Sequence, residues 1–207
     1  AVRECETVVA VMGINKSIER EGQDRYDIQL PADQREFLQE IYKVNPNIIV
    51  VLVAGSSLAV NWMDEHVPAI VNAWYPGEQG GTAVAEVLFG DYNPAGKLPV
   101  TFYRNVSQLP DFEDYNMTGR TYRYMQDVPL FPFGYGLSYT TFGYGKTVFD
   151  KNELTAGQSL KLTVPVTNTG KRNGEEVVQV YLRKQGDAEG PIKTLRAFKR
   201  VSIPAGK

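Results

Sequence analysis

Two runs of apolar residues, Thr7-Val8-Val9-Ala10-Val11-Met12-Gly13 and Ile48-Ile49-Val50-Val51-Leu52-Val53, constrain the fold of this chain more than any other feature. Each is short, continuous and rich in branched side chains, so each reads as a strand buried on both faces. Between them Phe37, Leu38, Ile41 and Tyr42 make an apolar stripe at helical spacing. Pro31 suits the first turn of that helix and Asn45-Pro46 stops it. A short helix leads into a third run, Ala69-Ile70-Val71-Asn72-Ala73-Trp74. Gly80-Gly81 then precede a helix carrying Val84, Ala85, Val87 and Leu88, which Gly90 ends. This alternation predicts an α/β fold over residues 1–104, a mostly parallel sheet flanked by helices. Ligands of such sheets sit beyond the carboxyl ends of the strands, so the loops after Met12, Val53 and Trp74 are the places to look.

From Asn93 the texture changes. Pro94, Pro99, Pro110, Pro129 and Pro132 punctuate a long irregular stretch. Its part from 105 to 141 is rich in aromatic residues and reads as an interdomain segment packed on something rather than a floppy linker. After Phe142 the period becomes two. Leu160 to Val166 alternates and turns at Asn168-Thr169-Gly170. Val177 to Leu182 and Leu195 to Val201 follow. Residues 142–207 therefore read as an all-β, immunoglobulin-like sandwich with about four strands where a complete one has about seven. The opening Ala1-Val2-Arg3-Glu4 reads like the tail of a helix, and the end falls within the sandwich. The expectation is a chain cut from something longer, with both domains truncated.

Several function classes are disfavoured. A net charge of -2 argues against a nucleic-acid partner. No apolar run approaches the ~20 residues of a membrane-spanning helix, so no membrane partner is expected. Cys5 is the single cysteine and His66 the single histidine, which rules out an internal disulfide and a multi-histidine zinc site. No metal or cofactor is implied. His66 reads as an exposed loop residue. Gly55-Ser56-Ser57 follows a strand but lacks the G-x-S-x-G of a nucleophile elbow. Gly77-Glu78-Gln79-Gly80-Gly81 lacks the spacing of phosphate-binding loops and reads as a tight strand-to-helix turn. Trp62 and Trp74 read as core residues, with sugar stacking the alternative.

The loop after the first strand carries the most specific pattern. Gly13-Ile14-Asn15-Lys16-Ser17-Ile18-Glu19-Arg20-Glu21-Gly22-Gln23-Asp24-Arg25, continuing to Leu30-Pro31 and Gln34, resembles the acid/base loop of family 3 glycoside hydrolases. Ile28 stands where that pattern has its first leucine. Trp74 to Gly81, Leu88 to Pro99 and Phe131 to Thr140 resemble further motifs of the same family in the same order. Val166 to Gly170 with Gly174 to Gln179 resembles the fibronectin III-like domain that follows in many members. Leu109 to Tyr115 and Gly119 to Tyr124 look most like the β-xylosidase branch, although β-glucosidases share much of the pattern.

The resemblance implies a partial α/β sandwich domain followed by a fibronectin III-like sandwich. It further implies a retaining glycosidase that removes β-linked sugars from non-reducing ends. In that family the nucleophilic aspartate lies on a (β/α)8 barrel, which this chain lacks, and the acid/base glutamate lies on the sandwich. Glu21 matches that glutamate; Glu19 is the alternative. In an extended segment the two would point the same way, and Glu19 would raise the Glu21 pKa by like-charge repulsion. Asp24 and Arg25 read as a salt bridge that holds the loop, with Arg20, Asp24 and Arg25 as substrate-loop candidates. Without the resemblance, the same residues read as a charged surface loop. The expected partners are an oligosaccharide or β-glycoside substrate and the missing barrel. The expected compartment is periplasmic or extracellular, and the expectation for the chain alone is inactivity. The competing readings are a noncatalytic carbohydrate-binding module and a structural accessory module.

Overall fold

The computed structural model describes residues 1–155 and 157–207. The first part runs β1 (Val8–Gly13), α1 (Ala32–Val44), β2 (Ile48–Val53), α2 (Asn61–His66), β3 (Ala69–Asn72) and α3 (Gly80–Phe89). The three strands are parallel in the order β1-β2-β3, with Val11 opposite Val51 and Val51 opposite Val71. This is the α/β alternation expected from the two apolar runs. The chain divides into two compact units. One holds Ala1–Glu86, Leu98–Tyr135 and Arg183–Thr194, and the other Val87–Lys97, Gly136–Leu182 and Leu195–Lys207.

In the first unit Leu38, Ile48, Val50, Leu52, Ala54 and Leu58 are almost fully buried, and Ala10, Met12 and Ile14 join them. Burial on both faces holds for β2, where Val51 faces away from Val50 and is also buried. It does not hold for β1. Val9 and Val11 are 48% and 65% exposed, because β1 is an outer strand with one face packed and the other open. The α1 stripe is also narrower than expected. Leu38 is buried and Ile41 and Tyr42 pack on the core, whereas Phe37, one position round the helix, is 60% exposed. Pro31 is the N-cap of α1, one position before its first turn. His66 ends helix α2, with its ring stacked on Trp62, and so belongs to a helix rather than a loop. Trp62 and Trp74 both pack against the core, as expected.

The aromatic segment has structure of its own. It includes one 3-10 turn (Val106–Gln108), the single-turn helix α4 (Thr121–Tyr124) and an antiparallel bridge between Phe102 and Phe131. Stacked rings support it, Tyr122 on Phe133 at 4.2 Å and Phe131 on Tyr135 at 5.3 Å. Six strands follow: β4 (Phe142–Tyr144), β5 (Val148–Phe149), β6 (Leu162–Thr163), β7 (Val166–Asn168), β8 (Gly174–Leu182) and β9 (Thr194–Ile203). The stretch expected as one strand over 160–166 is two, because Pro165 has no N–H for a ladder. The part before it pairs antiparallel with β5, and β7 after it pairs antiparallel with β4. Strands β8 and β9 are hydrogen-bonded neighbours. Asn168 is fully buried in this unit, with its amide tied to Thr140, Gly170, Arg172 and Ile203.

Candidate active site

The loop that leaves β1 crosses the carboxyl ends of the strands. Its departure is fixed by Gln34 of α1. The Gly13 N–H donates to Gln34 Oε1 at 2.9 Å, and Gln34 Nε2 donates to the Gly13 carbonyl at 2.8 Å. A side-chain amide thus stands in for a neighbouring strand on the free edge of β1. On the other side Ile14 N–H donates to the Val53 carbonyl at 3.0 Å. A Cβ on Gly13 would lie 1.9 Å from that same carbonyl oxygen, so the approach requires glycine. The loop after β3 contributes Tyr75, whose ring lies over Gly55 and whose hydroxyl donates to the Ile14 carbonyl at 3.2 Å. Further along, Ala59 N–H donates to the Ile28 carbonyl at 2.8 Å, and Gln29 bridges Ala59 in parallel.

Within the loop, Asn15 organises one turn. Its carbonyl accepts from the N–H groups of Ile18 and Glu19, and its side chain accepts from Ser17. Arg20 and Gln23 then pair across a four-residue turn, Gln23 N–H to the Arg20 carbonyl at 2.9 Å. Glu21 and Gly22 are its two tip residues. Gly22 has φ of +72°, the left-handed geometry that favours glycine at the third position of a type II turn. Glu21 is exposed. Among the described residues its carboxylate has no hydrogen bond or ion pair.

Glu19 is placed quite differently. Its Oε2 accepts from Arg25 Nε at 2.7 Å and from Ser56 Oγ at 2.5 Å. Arg25 Nη2 donates to the same Ser56 Oγ at 2.7 Å and reaches the Ser57 carbonyl at 3.3 Å. The three side chains close a ring. Arg25 is 10% and Glu19 25% exposed in their side chains. Arg25 Nη1 is buried without a partner among the described residues. The expected Asp24–Arg25 pair is therefore replaced by Glu19–Arg25, and Asp24 and Arg20 are exposed. The physical reason is the tight turn, which folds the segment back so that the residues before and after it meet. The extended geometry that would aim Glu19 alongside Glu21 is absent, and the Glu19 charge is already matched by Arg25. Ser56 was legible only as a residue of a defective nucleophile motif; its role depends on a residue 37 positions away.

Glu78 lies in the exposed strand-to-helix turn ahead of α3. A hollow of about 210 Å³ lined by Leu30, Arg35 and Trp62, among others, contains none of the loop carboxylates. Among the described residues, no three His, Cys, Asp or Glu side chains are grouped as metal ligands.

The first unit is thus a parallel α/β layer with this loop at the carboxyl ends of its strands, and the second unit is rich in β-strands. The comparisons with known proteins are specific. The family model described as "Glycosyl hydrolase family 3 C-terminal domain" matches residues 1–139, and that of the "Fibronectin type III-like domain" matches residues 176–207. The chain belongs to glycosyl hydrolase family 3. It is similar to a "Xylan 1,4-beta-xylosidase" of Xylanibacter ruminicola, 50% identical over 98% of this chain and 25% of the relative. A "Periplasmic beta-glucosidase" of Salmonella typhimurium is 36% identical over 100% of this chain and 29% of its own. Among solved structures, a GH3 beta-glucosidase of Bifidobacterium adolescentis matches with a TM-score of 0.89 at 31% identity. That match covers all of this chain and 32% of the other. The chain thus spans about a quarter to a third of the length of the relatives it matches.

Proposed function

We propose that this chain supplies the general acid/base of a retaining, exo-acting β-glycosidase, and that Glu21 is that residue. The observation that carries the reading is the contrast between the loop's two glutamates. Glu19 is committed to Arg25 and Ser56, whereas Glu21 stands at the tip of a clamped turn with its carboxylate unpaired among the described residues. A retaining mechanism needs a second carboxylate about 5–5.5 Å away to attack the anomeric carbon. That nucleophile belongs to a barrel domain outside this chain. Glu21 first protonates the departing oxygen and then, as carboxylate, takes a proton from the water that releases the sugar. Arg20 and Asp24, exposed on either side of the tip, are the loop's candidates for substrate contacts; Arg25 is engaged in holding the loop.

β-Xylosides are favoured over β-glucosides as substrates, supported by the printed name of the Xylanibacter relative and by the Leu109-to-Tyr124 motif. A periplasmic or secreted location is favoured by the name of the Salmonella relative. The test is to replace the matching segment of the Xylanibacter relative with residues 1–207 and to compare E21Q with E19Q on an aryl β-xyloside. E21Q should cut turnover by about 10²-fold or more, in the range of general acid catalysis. E19Q, which keeps an acceptor for Arg25 and Ser56, should cost far less. The reverse order would exclude Glu21.

A further inference from the structure

The ring of Glu19, Arg25 and Ser56 has a use that the acid/base assignment leaves open. Glu19 lies two residues before the Glu21 tip and Gly22, and Arg25 three residues after Gly22. Both are tied to Ser56, two residues past the last hydrophobic residue of the strand end, Ala54, which is fully buried. An exposed turn is thereby clamped at both ends to the rigid edge of the sheet. Every hydrogen bond in the clamp is 2.7 Å or shorter apart from the contact to the Ser57 carbonyl. The Ser56 hydroxyl both accepts from Arg25 and donates to Glu19, so loss of any member leaves another with an unmatched group. An ion pair buried this far is a poor source of stability compared with apolar packing. Its geometric effect is to fix where the tip lies.

We infer that Arg25 and Ser56, acting through Glu19, are positioning residues for the proton donor. The inference rests on the Glu21 reading for its consequence in catalysis, although the clamp itself can be tested without it. Proton transfer requires the donor within hydrogen-bond reach of the departing oxygen. A loosened clamp moves the tip and removes that reach while leaving the binding of the sugar to other groups.

The first measurement uses the 207-residue chain itself. Arg20 is exposed and precedes Glu21, so limited trypsin cleavage at this bond reads the order of the turn. R25M should speed that cleavage by about 10-fold and S56A by about 3-fold, with cleavage after Lys43 of α1 unchanged, as expected of a local opening. R25K keeps the charge but lacks the planar fork and should fall between wild type and R25M. Unchanged cleavage at Arg20 in both R25M and S56A overturns the clamp.

The second measurement uses the Xylanibacter replacement enzyme and two substrates. Dinitrophenol leaves as an anion with little help, whereas phenol needs the proton. R25M should lower kcat/KM on phenyl β-xyloside by about 10²-fold and change that on the dinitrophenyl substrate by less than about 3-fold. S56A, a milder change, should show the same asymmetry at about one tenth of its size. A purely structural role would lower both substrates alike. If E21A discriminates between the two substrates and R25M and S56A do not, the positioning role is overturned and the Glu21 reading stands. If E21A itself fails to discriminate, the Glu21 reading falls and the catalytic consequence falls with it.

Discussion

The double hydrogen bond from Gln34 to Gly13 invites a quantitative test. Gln34→Leu preserves approximate volume and removes both bonds, of 2.9 and 2.8 Å. Each contributes about 1 kcal/mol net, and each orphaned backbone group adds a desolvation cost of up to about 1–3 kcal/mol if it stays dry. Gly13 is only half-buried, so water reaches part of the gap and the total should lie near 2–3 kcal/mol. Trp62 and Trp74 both lie in the unit that contains Gly13, so urea unfolding followed by tryptophan fluorescence reports on that unit. With a slope of about 2 kcal/mol per molar urea, the midpoint should fall by about 1–1.5 M. Gln34→Glu keeps the acceptor for the Gly13 N–H but sets a carboxylate oxygen against the Gly13 carbonyl, and should destabilise at neutral pH. A midpoint within about 0.3 M of wild type for Gln34→Leu would exclude this amide as a replacement strand partner.

Other expectations follow from the same physics. Leu38 has no exposed surface, and Leu38→Ala should cost about 2–5 kcal/mol by the same fluorescence assay; a loss below about 1 kcal/mol would contradict its place in the core. Burial first, and then its hydrogen bond to the Glu176 carboxylate at 2.8 Å, raise the Tyr144 pKa above the usual phenol value. The protonated phenol is thus favoured in the folded state. Its stabilisation is fully present below the unfolded pKa of about 10 and is lost as pH rises beyond it. Tyr144→Phe should flatten that alkaline decline in denaturation midpoint, and an unchanged decline would remove the attribution. The 207-residue chain alone should release no phenol from aryl β-glycosides above a blank, and measurable release would contradict a nucleophile located elsewhere.

Much of the fold was legible in short-range patterns. The runs at Val8 and Ile48 named their strands, and Gly90, with φ of +79°, marked the helix end expected of it. What was not legible depended on which neighbours each segment meets. Val9 and Val51 carry the same side chain, yet only the strand order leaves one 48% and the other 2% exposed. Pro165, which has no N–H for a ladder, splits the 160–166 stretch, and the different partners its two halves meet are encoded by no local pattern. At the candidate site, the motif singles out Glu21 as the candidate. The partner of Arg25 was not, since adjacency in sequence favoured Asp24 while the turn delivered Glu19. The apolar run predicts Trp74 at the end of a strand. Instead it adopts φ of 55°, an uncommon conformation for a bulky residue, two positions after β3 ends and next to Tyr75, which secures the loop.

Azide rescue tests the proposal that Glu21 is the proton donor and acceptor. In the Xylanibacter replacement enzyme carrying Glu21→Ala, azide needs no general base and should attack the sugar–enzyme intermediate where water no longer can. Restored turnover on the dinitrophenyl substrate and a β-glycosyl azide product are expected. No rescue with Glu21→Ala, together with rescue and azide product with Glu19→Ala, would contradict it.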